Sequence, residues 1–239
     1  MNANAVIFDK DGTLIDFDAF WVRVSVKAIE DVLEALGQDS AAASDILEAF
    51  GVHDGITDID GVLCKGTYEQ MGRIVFDILK KYGCGSSCDE VTQIVVEAYN
   101  RNADAGEVKP SCSGLYEVLL ALKKQGKRLA VVTTDNLEIT KKCLEKLGVL
   151  ELFDRVYTDD GVYPTKPDPY CVLDFCERFG LSREEVVMVG DTVTDVRFAE
   201  NAGISVIGIA KNENNHRILA QWADAVVDSP AGLIPLLGG

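Results

Sequence analysis

The sequence is poor in basic residues and has no long hydrophobic run. Lysine and arginine together number 23 against 39 aspartates and glutamates, a formal net charge of −16 over 239 residues. No basic stripe offsets this charge, so we do not expect a nucleic-acid partner. No run approaches the ~18 apolar residues that cross a bilayer, so no membrane partner is expected. The first residues, MNANAVIFDK, have neither a basic segment nor a cleavage site, so we expect no signal peptide.

Histidine is scarce, and several common kinds of functional site are missing. The two histidines, His53 and His216, stand in no charge-relay pattern, and the absence of a nucleophile-elbow motif argues against a Ser/His/Asp hydrolase. The segment QGKRL lacks the glycines and the hydroxyl of a phosphate-binding P-loop. The seven cysteines are scattered and odd in number, which predicts a reducing cytoplasm rather than a disulfide scaffold. Cys84 and Cys88 have zinc-like spacing, but no matching pair follows them, so we expect no zinc site.

Apolar and amphipathic segments alternate regularly from Ser111 onward. Buried strands are predicted at RLAVVTT, FDRVYT, EVVMVGD, ISVIGIA and DAVVD, with amphipathic helices between them. The stretch AVIFD near the N-terminus adds one more buried strand. Short connections between strand and helix are typical of an α/β fold, a Rossmann-like parallel sheet with helices on both faces. We assign this core domain to residues 1–16 and 109–239.

Residues 17–108 do not follow the alternation of strand and helix. Apolar residues recur there at helical spacing, first at Val22, Val26 and Ile29 and again at Ile74 and Ile78. No convincing buried strand is present. The sequence therefore predicts an all-α domain inserted after the first strand of the core.

Polar residues follow the predicted strands and lie where a parallel sheet binds its ligands. Ligands sit beyond the carboxyl ends of such strands, so these residues should converge. The converging candidates are Asp9, Asp11, Thr133, Thr134, Lys166, Asp191 and Asp195. Clustered carboxylates are costly in a dry site unless a cation pairs with them. Hard oxygen ligands of this kind suit Mg²⁺, which we predict as the cofactor.

This combination of residues suits phosphoryl transfer. A carboxylate held beside a divalent ion and a lysine can attack phosphorus and form an aspartyl-phosphate. The reaction asks for positive charge and hydrogen-bond donors around the phosphoryl oxygens, which Lys166 and Thr133 can supply. Asp11 stands two residues from Asp9 and can act as general acid and base.

Four segments resemble the motifs of the haloacid dehalogenase superfamily, in the same order. VIFDKDGTLID is similar to its DxDGT motif, LAVVTT to its strand ending in threonine, Lys166 in TKPDP to its lysine motif, and MVGDTVTD to its GDxxxD motif. The helical insert resembles the α-helical C1 cap of phosphoglycolate-phosphatase-like members. Lys10 stands where many members carry an apolar residue. The second aspartate, Asp11, argues for phosphate esters, because the dehalogenases and phosphonate-cleaving members lack it.

The resemblance implies a role for each matching residue. Asp9 would be the nucleophile and Asp11 the acid/base, and Thr133 and Lys166 would hold the phosphate. Mg²⁺ would bind Asp9, the Asp11 carbonyl and Asp191. Asp195 would support these ligands without contacting Mg²⁺, or would bind Mg²⁺ through a water molecule.

Several alternatives remain open. The leading function is a Mg²⁺-dependent phosphatase of a small phosphorylated metabolite: a phosphoglycolate-like, sugar or nucleotide phosphate. A phosphomutase that isomerises a sugar phosphate, and a non-catalytic phospho-acceptor or binding protein, are the rivals. Lys65 in the insert and Thr134 are further candidates for substrate contact, and each also has a structural interpretation, as a solvated lysine and a loop residue. The oligomeric state, monomer or dimer, is not determined by the sequence.

Overall fold

The computed structural model describes residues 1 and 3–237, so residues 2, 238 and 239 of the predicted core lie outside the described part. The chain divides into two compact units. The core unit comprises Met1–Phe17 and Val108–Gly239, and the insert unit comprises Asp18–Glu107.

The core unit is built on a parallel sheet. Its strands are β1 (Ala5–Phe8), β4 (Arg128–Val132), β5 (Arg155–Tyr157), β6 (Val186–Gly190), β7 (Ser205–Ile209) and β8 (Ala225–Val227). The two strands between β1 and β4 in chain order, β2 (Val52–His53) and β3 (Ile56–Thr57), belong to the insert. Among the described residues the order across the sheet is β5-β4-β1-β6-β7-β8. Every residue of β1 is fully buried, as expected for a central strand covered on both faces. All six predicted strands are present, and the predicted α/β fold is confirmed.

Helices connect the strands of the core. They are α6 (Leu115–Lys124), α7 (Leu137–Lys146), α8 (Tyr170–Phe179), α9 (Val193–Ala202), α10 (Glu213–Leu219) and α11 (Leu233–Leu237). The side-chain oxygen of Asn136 accepts a hydrogen bond from the N–H of Ile139 at 2.9 Å and so caps the N-terminus of α7. Side chains from the sheet and from α8 and α9 form one buried cluster that includes Ile7, Phe175 and Phe198. This packing fixes the strands whose carboxyl ends carry the candidate site.

The insert unit is mostly helical. Its helices are α1 (Arg23–Ala35), α2 (Ala42–Ala49), α3 (Val62–Lys65), α4 (Tyr68–Lys81) and α5 (Cys88–Asn102). A π-helical segment, Asp18–Val22, precedes α1. The hydroxyl of Tyr99 donates to the Ser25 hydroxyl oxygen at 2.8 Å, which joins α5 to α1 in the interior of this unit.

A short hairpin interrupts the helices of the insert and was not predicted. Its strands, β2 (Val52–His53) and β3 (Ile56–Thr57), are antiparallel and have two residues each. The N–H and the hydroxyl of Thr57 both donate to Oδ1 of Asp18, at 3.0 and 2.5 Å. Strands of two residues are too short for an alternating pattern to reveal them.

None of the helices in the described part of the chain is both long enough and apolar enough to cross a membrane.

Candidate active site

The carboxyl ends of three neighbouring strands bring predicted site residues together. Strands β1, β4 and β6 lie side by side, and Asp9, Thr133 and Asp191 directly follow them. The last residue of β1 is in register with Val131 and with Val189, so the three strands end at nearly the same level. Asp9 and Thr133 are buried, and Asp191 is half-buried.

Lys166 lies in the loop between β5 and α8, and its buried side chain joins two carboxylates. Its Nζ donates to Oδ1 of Asp9 at 2.5 Å and to Oδ1 of Asp195 at 2.7 Å. The second oxygen of Asp195 accepts from the N–H of Thr192 at 3.0 Å and from its hydroxyl at 2.7 Å. Both oxygens of Asp195 are therefore engaged, and this buried carboxylate holds Lys166 against Asp9.

Burial and mutual repulsion alter the acidity of this group. Burial raises the pKa of Asp9 to about 7; Lys166 opposes the rise, and Asp195 and Asp11 add to it. Burial, followed by the charges of Asp9 and Asp195, raises the pKa of Asp191 well above its usual value. Burial by itself would lower the pKa of Lys166, but Asp195 and Asp9 outweigh it and the pKa lies above the usual value. Lys166 therefore carries a positive charge at neutral pH, and one cation does not balance three carboxylates.

The surplus of carboxylates makes this group fit a divalent cation. Asp9, Asp191 and Asp195 each offer an oxygen, and these three oxygens lie within 4.8 Å of one another. Because both oxygens of Asp195 already accept hydrogen bonds, Asp9 and Asp191 are the better candidates for direct ligands. Oxygen donors at this separation suit Mg²⁺.

A glycine lets the loop after β1 pass against Asp191. Gly12 has φ +84°, and a Cβ placed there would lie 2.0 Å from Oδ2 of Asp191. The next residue, Thr13, is buried, and its hydroxyl donates to Oδ1 of Asp191 at 3.2 Å. The loop after β1 therefore orients Asp191, which follows the neighbouring strand β6. Only glycine fits at position 12, between Asp11 and Thr13.

The carboxylate of Asp11 has a different partner. Its two oxygens lie 2.8 and 2.7 Å from Nζ of Lys10, and the same Nζ lies 3.0 Å from Oδ2 of Asp135. Lys10 is fully buried, whereas a lysine in a loop is ordinarily expected in solvent. Lys10 stands out in the sequence, but no partner was predicted for it, and Asp135 was missed. The two flanking aspartates, directly after a buried strand, were a signal for the burial of Lys10, but nothing in the sequence pointed to Asp135.

The remaining candidates stand in ordinary surroundings. The hydroxyl oxygen of Thr133 accepts from the N–H of Asp135 at 3.2 Å, which leaves its own proton available for donation. Thr134 is exposed. Lys65 is the last residue of α3 in the insert unit, and its side chain contacts the carboxylate of Asp60.

Comparisons with known proteins identify relatives along nearly the whole chain. A phosphoglycolate phosphatase of Psychrobacter arcticus is 27% identical over 224 residues, which cover 90% of this chain and 86% of that protein. The pyrophosphatase PpaX of Bacillus velezensis is 27% identical over 235 residues, which cover 98% and 96%. Among solved structures, the HAD-hydrolase YfnB of Bacillus subtilis, bound to magnesium, gives a TM-score of 0.70 at 18% identity and covers 100% of both chains. At that identity, the last comparison concerns the fold alone.

The family comparison is the most direct of these findings. Residues 3–203 match the family described as haloacid dehalogenase-like hydrolase. The match spans all four segments on which the resemblance was based and confirms that resemblance. Together with the relatives named phosphatases, it also confirms the predicted enzyme class, a phosphatase. The chain belongs to the haloacid dehalogenase-like hydrolases.

Proposed function

We propose that this hydrolase is a Mg²⁺-dependent phosphatase that acts on a small phosphomonoester through an aspartyl-phosphate at Asp9. The observation that carries the proposal is the position of Asp9. Its carboxylate follows a fully buried strand and contacts the ammonium of Lys166 on one oxygen, beside Asp191. Phosphoryl transfer needs a nucleophile and a nearby positive charge, and here Asp9 supplies the first and Lys166 the second.

The cation would be held by oxygens of the core unit. Asp9, Asp191 and the Asp11 carbonyl are the proposed ligands, and Asp195 supports them by holding Lys166. When bound, Mg²⁺ supplies positive charge against the phosphoryl oxygens and relieves the repulsion among the carboxylates.

In the first half-reaction, a carboxylate oxygen of Asp9 attacks phosphorus. The bond between phosphorus and the ester oxygen breaks, and the departing oxygen takes the proton of the Asp11 carboxyl. An ammonium has three donors, and Asp9 and Asp195 accept from two of those on Lys166. The third, with the Thr133 hydroxyl, binds the phosphoryl oxygens and stabilises the charge that develops on them.

In the second half-reaction, water replaces Asp9 on phosphorus. The carboxylate of Asp11 takes a proton from the water molecule as its oxygen attacks. The bond between phosphorus and the Asp9 oxygen breaks, so that inorganic phosphate leaves and Asp9 returns as a carboxylate. Asp11 is then protonated again, ready for the next ester.

The substrate is proposed to be a small phosphorylated metabolite. The relatives named phosphoglycolate phosphatase and pyrophosphatase support this size class. We propose the insert unit as the cap that selects among esters, with Lys65 as a candidate contact. Thr134, exposed next to Thr133, is a second candidate.

A substrate panel tests the proposal. Purified protein with Mg²⁺ would be assayed for phosphate release from 2-phosphoglycolate, sugar phosphates, nucleoside monophosphates and inorganic pyrophosphate. We expect release from at least one monoester by the wild type and none by Asp9→Asn. Asp228→Asn is the matched control, because Asp228 directly follows β8, three strands from β1 in the same sheet. Isomerised sugar phosphate without free phosphate would favour the phosphomutase, and undiminished release by Asp9→Asn would contradict the proposal.

A further inference from the structure

Lys10 connects the loop that follows β1 with the loop that follows β4. Its ammonium lies between the carboxylates of Asp11, at 2.7 and 2.8 Å, and Asp135, at 3.0 Å. Asp135 stands between the end of β4 and the cap of α7. Because β1 and β4 are neighbours, this ion-pair triad (Asp11, Lys10 and Asp135) fastens one site loop to the other.

The backbone of Lys10 holds the same loop. Its carbonyl oxygen accepts hydrogen bonds from the N–H groups of Leu14 at 2.9 Å and Ile15 at 3.0 Å, so the turn that carries Asp11 closes onto this residue. The side chain and the main chain of Lys10 therefore restrain Asp11 from two directions. A loop carboxylate without such restraint would sample several rotamers.

Lys10 is not placed to meet a ligand directly. Its side chain is 0% exposed, whereas the side chain of Asp11 is 16% exposed. Burial by itself would lower the pKa of Lys10, but Asp11 and Asp135 outweigh it and the pKa lies above the usual value. A buried ammonium is tolerated only where carboxylates compensate its lost hydration. The charge of Lys10 therefore acts on Asp11 and Asp135, inside the protein.

We propose that Lys10 is a positioning residue, which holds the Asp11 carboxyl in the orientation for proton transfer to the leaving group, and that Asp135 anchors Lys10 in turn. This inference rests on the proposed function of Asp11 as general acid and base. It assigns the triad a kinetic signature that a purely structural ion pair lacks. Loss of Lys10 impairs the reaction only to the extent that the reaction depends on Asp11.

Leaving groups of different acidity reveal that dependence. An alkyl phosphate expels a basic alkoxide and needs protonation by Asp11, whereas p-nitrophenyl phosphate expels a weakly basic phenolate and needs little. The value of kcat/KM reports the steps up to loss of the leaving group, so it is the quantity to compare. General-acid assistance is worth roughly 10²–10⁴-fold, and a misdirected acid should forfeit at least about tenfold of it on the alkyl ester.

The experiment measures kcat/KM for one alkyl and one aryl phosphate in wild type, Lys10→Met, Asp11→Asn and the double variant. We expect Lys10→Met to lower the alkyl value about tenfold or more beyond any change in the aryl value. In the Asp11→Asn background the same substitution should change neither value beyond about twofold, because the group it positions is gone. Lys123→Met is the matched control. Lys123 also pairs with an aspartate, Asp154, at 2.7 Å, but Asp154 directly precedes β5, whereas the site residues follow their strands.

The outcomes separate the inference from the function on which it rests. Equal losses on both esters, or a loss that persists in the Asp11→Asn background, would overturn the role of Lys10 and leave that of Asp11 intact. If Asp11→Asn by itself spared the alkyl ester, the acid/base assignment and this inference would fall together. Should Lys10→Met not fold, as judged by circular dichroism, Asp135→Asn decides. That variant keeps the Lys10–Asp11 pair, and we expect the same selective loss at smaller size; equal loss on both esters would overturn the inference.

Discussion

Nζ of Lys166 lies 2.7 Å from Oδ1 of Asp195, whose other oxygen accepts two hydrogen bonds from Thr192. Thr192 fixes the Asp195 carboxylate, and Asp195 in turn holds the Lys166 ammonium in contact with Asp9. Thr192 is the N-cap of α9, and its hydroxyl oxygen also caps the helix by accepting from the N–H of Asp195. The start of one helix therefore sets the position of the site's lysine.

Removing the charge of Asp195 should misplace Lys166. Asp195→Asn keeps the shape of the side chain but removes one of the two carboxylates that hold the ammonium. We expect kcat/KM to fall about 10–100-fold, the usual effect of losing a residue that orients a ligand. The control is Asp174→Asn, which breaks a 2.7 Å pair with Arg178 on α8. Steady-state kinetics at saturating Mg²⁺ would measure both, and a change in the control as large as that in Asp195→Asn would argue against a specific role.

Stability without metal should decline as the pH rises. Burial raises the folded-state pKa of Asp9 to about 7 from an ordinary value of 3.8, and the pKa of Asp191 moves in the same direction. Between about pH 4 and about pH 7 the folded state therefore binds more protons than the unfolded state. This contribution to stability is complete below about pH 4 and is lost as the pH rises through about 7.

A bound cation should cancel that loss. Because Mg²⁺ pairs with the ionised carboxylates, the difference in Tm between Mg²⁺-loaded and EDTA-treated protein should grow from about pH 5 to about pH 8. Thermal unfolding across this range would measure it, with Asp191→Asn as the variant expected to show little growth. A difference in Tm that stays constant or shrinks with rising pH would contradict the cation site.

A methyl group at Gly12 should displace Asp191. The added Cβ would meet Oδ2 of Asp191 at 2.0 Å, and the residue would also be strained at φ +84°. Gly126 has φ +81°, and no atom lies within 4 Å of the point that a Cβ would occupy there, so Gly126→Ala carries the backbone strain without the clash. We expect both variants to lose about 1–2 kcal/mol of stability from the strain. Only Gly12→Ala should also lose most of its activity, and equal activity in the two would show that the contact is unimportant.

The sequence predicts those parts of the fold and site that depend on local pattern. Asp9, Thr133 and Asp191 meet because each follows a buried strand of a parallel sheet, and apolar runs reveal such strands. Lys10 and Asp135 could not be paired in advance. Their contact depends on the turn that Gly12 permits and on which two strands are neighbours. The hairpin at residues 52–57 was missed because its strands have two residues each.

The central claim is that Asp9 carries the phosphoryl group, and a chemical trap tests it most directly. Protein turning over an aryl phosphate with Mg²⁺ would be quenched in acid, reduced with borohydride and digested for mass spectrometry. Reduction converts an aspartyl-phosphate to homoserine. We predict homoserine at residue 9 in the wild type, more of it in Asp11→Asn because that variant hydrolyses the intermediate slowly, and none in Asp9→Asn. Continued phosphate release with no homoserine at residue 9 in either the wild type or Asp11→Asn would contradict the account.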